Sequence, residues 1–180
     1  LLLAAEKLDQ ARQAHRSKQA EALVSTYSRR AVVGALAAVA PGSDLVIQGI
    51  LATRLIQELC AVYDVSVKDV EIESFLKLAG GRVRKMSALT LAIGGNALKA
   101  FPGAGTLAGG VLHAVAYGLV FDTLGKAVAV SLDTRGELHP VQTATVFKET
   151  LGENIEASAG RFVKFAALAY KQEAKRRTGS

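Results

Sequence analysis

Residues 31–45 read Ala-Val-Val-Gly-Ala-Leu-Ala-Ala-Val-Ala-Pro-Gly-Ser-Asp-Leu, and residues 100–112 answer them with Ala-Phe-Pro-Gly-Ala-Gly-Thr-Leu-Ala-Gly-Gly-Val-Leu. In each, a run of small apolar residues meets a Pro-Gly pair, and an apolar segment resumes beyond it. Proline pushes the preceding residue out of the α region, so one helix is expected to stop at Ala40 and another at Phe101. Gly42 permits the reversal, and Ser43 or Asp44 supplies a side chain able to cap the next helix. The pattern predicts two helical hairpins, with turns at Pro41, Gly42 and Asp44 and at Pro102, Gly103 and Gly105. An offset of 61 residues superposes Pro41 on Pro102, Leu51 on Leu112 and Leu59 on Val120. That is the mark of a duplicated helix-turn-helix unit. Chance recurrence in an Ala-, Leu- and Gly-rich chain is the competing explanation.

Outward from these turns, every periodic segment is helical, and no period-2 strand stands out. Residues 2–27 contain neither Pro nor Gly and carry a weak apolar stripe. Ser28-Arg29-Arg30 leads into the 31–40 run. Helices are then expected over 45–63; over 67–79, with Ser66 as its cap and Gly80-Gly81 as its end; and over 82–101. A further apolar helix is expected over 104–121, followed by a turn at Asp133-Thr134-Arg135-Gly136. Pro140 suits the first turn of a helix ending near Gly152, and a last amphipathic helix covers about 153–177. The expected fold is an all-α bundle of seven or eight helices. Residues 1–28 form a linker or stalk helix and 29–180 the module, with amphipathic helices at 140–177.

With 180 residues the chain can bury one real core. Half of it is hydrophobic and 21% charged, with six Phe, four Tyr and no Trp, and its mean hydropathy is +0.25. The net charge of +6 is unevenly placed. Arg161, Lys164, Lys171, Lys175, Arg176 and Arg177 face only Glu173 over the last twenty residues, while Arg82, Arg84 and Lys85 form a second cluster and Arg29 and Arg30 a third. Basic groups flanking apolar segments suit an anionic membrane surface or an acidic partner. A solvated basic helix end, favourable to the helix dipole, is the plainer reading. Nucleic acid is disfavoured, because no stacking aromatics alternate with the basic residues. The opening Leu1-Leu2-Leu3, followed at once by Glu6 and Lys7, lacks the basic region and cleavage site of a signal peptide, and is expected to be a piece of a longer polypeptide.

Residues 103–121 are nineteen positions without a formal charge, close to the roughly 20 needed to span a bilayer. Small residues at Gly105/Gly109 and Gly110/Ala114/Gly118 allow close helix contact in a membrane, or in the middle of a water-soluble bundle. The first apolar region is interrupted by Pro41 to Asp44, so each arm is too short to span.

Catalytic signatures are missing. His15, His113 and His139 lie far apart, with no HExxH and no cysteine pair, so no metal and no cofactor are expected. Glu149, Glu153 and Glu156 would share one helical face, and with His139 they make the best candidate for an acidic pocket; a solvated face is the simpler alternative. Gly103–Gly109 lacks the Lys-Ser/Thr and the preceding strand of a phosphate loop. Cys60, the single cysteine, sits in an apolar helical run and reads as a core thiol.

Pro41-Gly42-Ser43-Asp44, then Gln48, Leu51, Arg54-Leu55-Ile56 and Tyr63-Asp64-Val65, resembles DUF697, a bacterial family of unknown function. Phe101-Pro102-Gly103-Ala104-Gly105, Gly109-Gly110 and Tyr117-Gly118 are similar to its second half, so the likeness covers about residues 28–130. Asp64 stands where the family usually has Gly. The resemblance implies a helical module often found C-terminal to a Ras-like GTPase domain, related to membrane-associated proteins and with no assigned reaction. Together these readings lead to a non-catalytic module of a bacterial GTPase, cytoplasmic and peripheral or integral at the cytoplasmic membrane. Its partners would be the GTPase domain or another protein, an anionic membrane surface, or further copies of itself. The alternative is a water-soluble interaction or oligomerisation scaffold with no membrane role.

Overall fold

The computed structural model describes residues 2–37, 43–81, 83, 108–153 and 155–178, with side chains over 5–37, 46–81, 83, 110–151 and 158–172. Among the described residues the chain is all-helical, without a strand. The helices are α1 (Leu2–Ala37), α2 (Ser43–Val62), α3 (69–81), α4 (Ala108–Arg135), α5 (Pro140–Glu153) and α6 (Ile155–Thr178). The turn residues Pro41, Gly42, Pro102, Gly103 and Gly105, and nearly all of the helix expected over 82–101, lie outside the described residues.

α1 is a single helix through Ser28-Arg29-Arg30, where the sequence suggested a joint. The hydroxyls that could have competed for backbone groups are absorbed within the helix. Thr26 Oγ1 donates to the Ala22 carbonyl at 2.8 Å and Ser28 Oγ to that of Val24 at 2.7 Å. Ala20, Val24, Tyr27, Ala31 and Ala35 recur at three- and four-residue spacing, and all are buried. Residues 5–19 are exposed but for half-buried Arg16. Thus only the second half of α1 joins the core.

α4 is the centre of the bundle. It is apolar around most of its circumference, which suits a helix enclosed on all sides, and it touches α1, α2, α5 and α6. It runs past Asp122 to Arg135, fourteen residues beyond the apolar stretch that marked it in sequence. Its tightest contacts are made at glycines. A Cβ on Gly118 would stand 2.6 Å from the Phe162 ring of α6 and 2.8 Å from Val32 of α1. One on Gly125 would stand 2.5 Å from Val24 of α1. Gly110, read from the sequence as part of the same small-residue row, has no described residue within 4 Å of where its Cβ would be. α1 runs antiparallel to both neighbours: Val32 and Val24 meet Gly118 and Gly125 of α4, while Ala31 and Tyr27 meet Gln48 and Glu58 of α2.

Local chemistry sets the helix ends. The Val65 amide donates to the Cys60 carbonyl at 2.8 Å and the Asp64 amide to that of Ala61 at 3.2 Å. This is a Schellman closure with Asp64 in the left-handed region at φ 57°, the position where the resembled family has Gly. Arg16 reaches over from α1 to the Asp64 carboxylate at 2.5 Å. α3 starts two residues later than Ser66 would have started it. Instead the Glu71 carboxylate accepts from the Lys68 amide at 2.9 Å, half of a capping box. Gly80 and Gly81 are themselves helical, so α3 includes them. α4 closes at Gly136, φ 68°, whose amide donates to the Leu132 carbonyl at 2.9 Å, and Pro140 opens α5 as its sequence position predicts.

The glycine contacts have a measurable consequence. Gly125→Ala drives a methyl group into Val24, and overpacking of this kind costs about 1–3 kcal/mol, of which helix propensity returns at most about 1. A net loss of about 1–2 kcal/mol is expected in urea unfolding. Gly49→Ala on α2, where nothing among the described residues lies within 4 Å of the new methyl, is expected to raise stability by roughly 0.5–1 kcal/mol.

Candidate functional site

Two surfaces bring basic side chains together, and Arg29 belongs to both. The first lies along the α1–α2 seam. Val33, Val46, Ile47 and Ile50 are 47%, 65%, 37% and 52% exposed, although each is a large apolar side chain. Arg29, Arg30 and Arg54 border them. A shallow groove of about 600 Å³ runs between Arg29, Arg30, Gly34 and Ile47. Beneath it, the Tyr27 hydroxyl donates to Glu58 at 2.6 Å while the Arg30 guanidinium sits 5.0 Å from the centre of the Tyr27 ring. Burial pushes the Tyr27 hydroxyl above its ordinary value, Glu58 adds to this, and the charges of Arg30 and Arg54 oppose it. Gln48 pins the seam, donating from Nε2 to the Ala31 carbonyl at 2.9 Å. Its Oε1 is buried with no partner among the described residues.

The second surface lies where α1, α4 and α6 meet. Asp122 is buried in the middle of α4 with two cations on it: Lys126 one turn along at 2.7 Å and Arg161 of α6 at 3.0 Å. The Ser158 hydroxyl lies 3.5 Å from the same carboxylate. Arg161 separates two grooves. One, of about 480 Å³, contains Glu21, Tyr63, Lys126 and Asp133. The other, of about 620 Å³, contains Arg29, Arg161, Lys164 and Phe165. Burial, followed by the charge of Asp133, raises the Tyr63 hydroxyl above its ordinary value against the pull of Arg16.

Of the basic residues the sequence singled out, the fold brings Arg29 of α1 together with Arg161 and Lys164 of α6, although they are more than 130 positions apart in the chain. Arg30 faces the α1–α2 seam instead, and Lys171 is exposed farther along α6. Asp44 lies in the first turn of α2. Arg82, Arg84 and Lys85, and the side chains of Lys175, Arg176 and Arg177, lie outside the described residues. So do the side chains of Glu153 and Glu156. Glu149 and His139 are exposed, and neither belongs to any of the grooves described above. Among the described residues no group of His, Cys, Asp and Glu is arranged to hold a metal ion. Cys60 is buried, and desolvation followed by the Glu71 charge pushes its thiol up to about 11. It is therefore a packed thiol rather than an activated one.

Arg54, Asp122 and Lys126 were not candidates from sequence. The signal for the last two was present, because an Asp and a Lys four residues apart within an otherwise apolar helix are placed to pair.

The Asp122 cluster is expected to behave as a unit. Asp122→Asn weakens two charge-assisted bonds and should cost about 2 kcal/mol. Lys126→Ala or Arg161→Ala alone should cost under about 1 kcal/mol, since each cation is about half exposed and the other still neutralises the carboxylate. The double variant should exceed the sum of the singles by more than about 1 kcal/mol, because a buried carboxylate is left without a cation. Chemical-denaturation midpoints of the four proteins check this.

In comparisons with known proteins, no family profile, no curated protein and no solved structure matches the chain.

Proposed function

We propose that this chain is a non-catalytic helical module that docks on an anionic membrane surface, as the C-terminal portion of a bacterial GTPase whose nucleotide state it couples to that surface. The observation that carries the membrane half is the α1–α2 seam. Exposed Val33, Val46, Ile47 and Ile50 stand beside Arg29, Arg30 and Arg54, an apolar patch with a cationic border. Apolar side chains entering the interface and basic groups held near anionic headgroups act additively in such binding. The GTPase half rests on the resemblance of residues 28–130 to DUF697 modules. In this reading the Pro41-Gly42 and Pro102-Gly103 turns are hairpin tips in a bundle of seven or eight helices, and the module sits peripherally on the cytoplasmic face of the membrane.

A second reading draws on α4. Over Gly110–Arg135 it is long and apolar enough to cross a bilayer, the one such helix among the described residues, yet 67% of its most apolar window is buried inside the bundle. A water-soluble interaction or oligomerisation scaffold, its greasiest helix sequestered as core, fits this burial equally well. That reading differs by requiring no lipid contact.

Vesicle co-sedimentation separates the two. The chain should sediment with phosphatidylglycerol vesicles at low salt and not with phosphatidylcholine vesicles. Binding should fall several-fold at physiological salt, as screened electrostatic attachment does, and should be lost in the Arg30→Glu/Arg54→Glu double variant. No sedimentation with anionic vesicles at low salt overturns the membrane reading and leaves the scaffold.

A further inference from the structure

We propose that the groove between α1 and α6 is a binding site for a phosphoryl group, separate from the α1–α2 seam. Arg29, Arg161 and Lys164 line it, with Asp122 as its single carboxylate. That carboxylate is already committed. Oδ1 meets Arg161 at 3.0 Å and Oδ2 meets Lys126 at 2.7 Å, and Lys126 approaches from the neighbouring groove. With the charge of Asp122 balanced from behind, the groove keeps an excess of positive charge. Among the described residues no carboxylate lies within ion-pair distance of Arg29 or Lys164.

The two guanidinium groups are also held in place. The Arg29 guanidinium lies 5.7 Å from the centre of the Phe165 ring, and that of Arg161 lies 5.0 Å from the centre of the Phe162 ring. A guanidinium stacked on a ring loses part of its freedom before any ligand arrives, and its planar fork matches two oxygens of a phosphoryl group. Ser25 adds a hydroxyl to the lining and Gly160 a bare backbone, with nothing among the described residues within 4 Å of where its Cβ would be. Three cations around a volume of about 620 Å³ fit a terminal phosphoryl dianion better than a monoanionic diester. The group would come either from a phosphomonoester lipid headgroup or from a soluble phosphate compound.

The test uses inorganic phosphate and vesicles with the whole chain. Titration with phosphate, against chloride at matched ionic strength, should give saturable binding by calorimetry and a rise in Tm. Gly160→Leu fills the groove without altering any charge and favours the helix, so it should stay folded while weakening phosphate binding at least ten-fold. Lys164→Gln should weaken it several-fold. The two sources separate on vesicles of equal surface charge. Preference for phosphatidic acid over phosphatidylglycerol, lost in Gly160→Leu, assigns the lipid. Binding of free phosphate with equal affinity for the two vesicles assigns a soluble ligand. No difference between phosphate and chloride together with no phosphatidic acid preference overturns the site, as does unchanged phosphate binding in folded Gly160→Leu. Failure here is distinguishable from failure of the membrane reading, because Arg30→Glu/Arg54→Glu affects phosphatidylglycerol vesicles and leaves phosphate binding intact, whereas Gly160→Leu does the reverse.

Discussion

Gly118 and Gly125 lie two turns apart on α4, and at both the space of a side chain is taken by a valine of α1. The missing methyl groups let the two backbones approach until Val32 and Val24 fill the grooves of α4. The rest of the arrangement follows from that approach. With α1 laid on α4, Tyr27 and Ala31 face α2, and Arg29 falls on the side where α6 passes. Phe162 of α6 uses the same gap at Gly118 from the other side. A glycine inside a helix is unfavourable by itself, so the stability given up locally at these two positions is recovered through burial of valine and phenylalanine across the seam.

The polar content of this core is arranged around the same contact. Asp122 lies between the two glycines along α4, where side chains of α1 and α6 exclude water. A carboxylate there requires cations, and it takes one from its own helix and one from α6. The pairing thereby orients Arg161 at the boundary of two grooves. Ser131 and Thr143 join α4 to α5 in the same manner, through a buried hydroxyl pair at 2.8 Å. Gln48, Asp122 and the Ser131–Thr143 pair thus mark places where one helix is keyed against another.

The sequence displayed the helical class clearly, since three- to four-residue periodicity and local backbone sterics act within each segment. Pro140 opened its helix where expected for the same reason. The burial of α4 was legible from an apolar run that leaves no polar face. What was not legible depended on a choice between competing local bonds or on partners distant in the chain. The sequence divides at Ser28-Arg29-Arg30, where a polar amphipathic stretch leads into a small apolar run; in the fold the serine hydroxyl turns back onto the Val24 carbonyl and the helix continues. Ser66 looked like a cap, but Glu71 bonding back to Lys68 sets a later start. Gly125 gave no sign of its importance until Val24 was placed against it. The groove cations were visible as members of two charge clusters, Arg29-Arg30 and the C-terminal one, but their meeting across α1 and α6 is a tertiary fact that spacing does not carry.

On this account the second half of α1 is an integral wall of the bundle, and its position next to α6 creates the cationic groove. Amide hydrogen exchange across the chain tests that most directly. Amides of residues 20–35 should exchange together with those of 111–132, at the rate of global opening, while residues 5–15 exchange orders of magnitude faster. Exchange of 20–35 at the rate of 5–15, with 111–132 still protected, would show that α1 does not close the bundle, and would contradict the account.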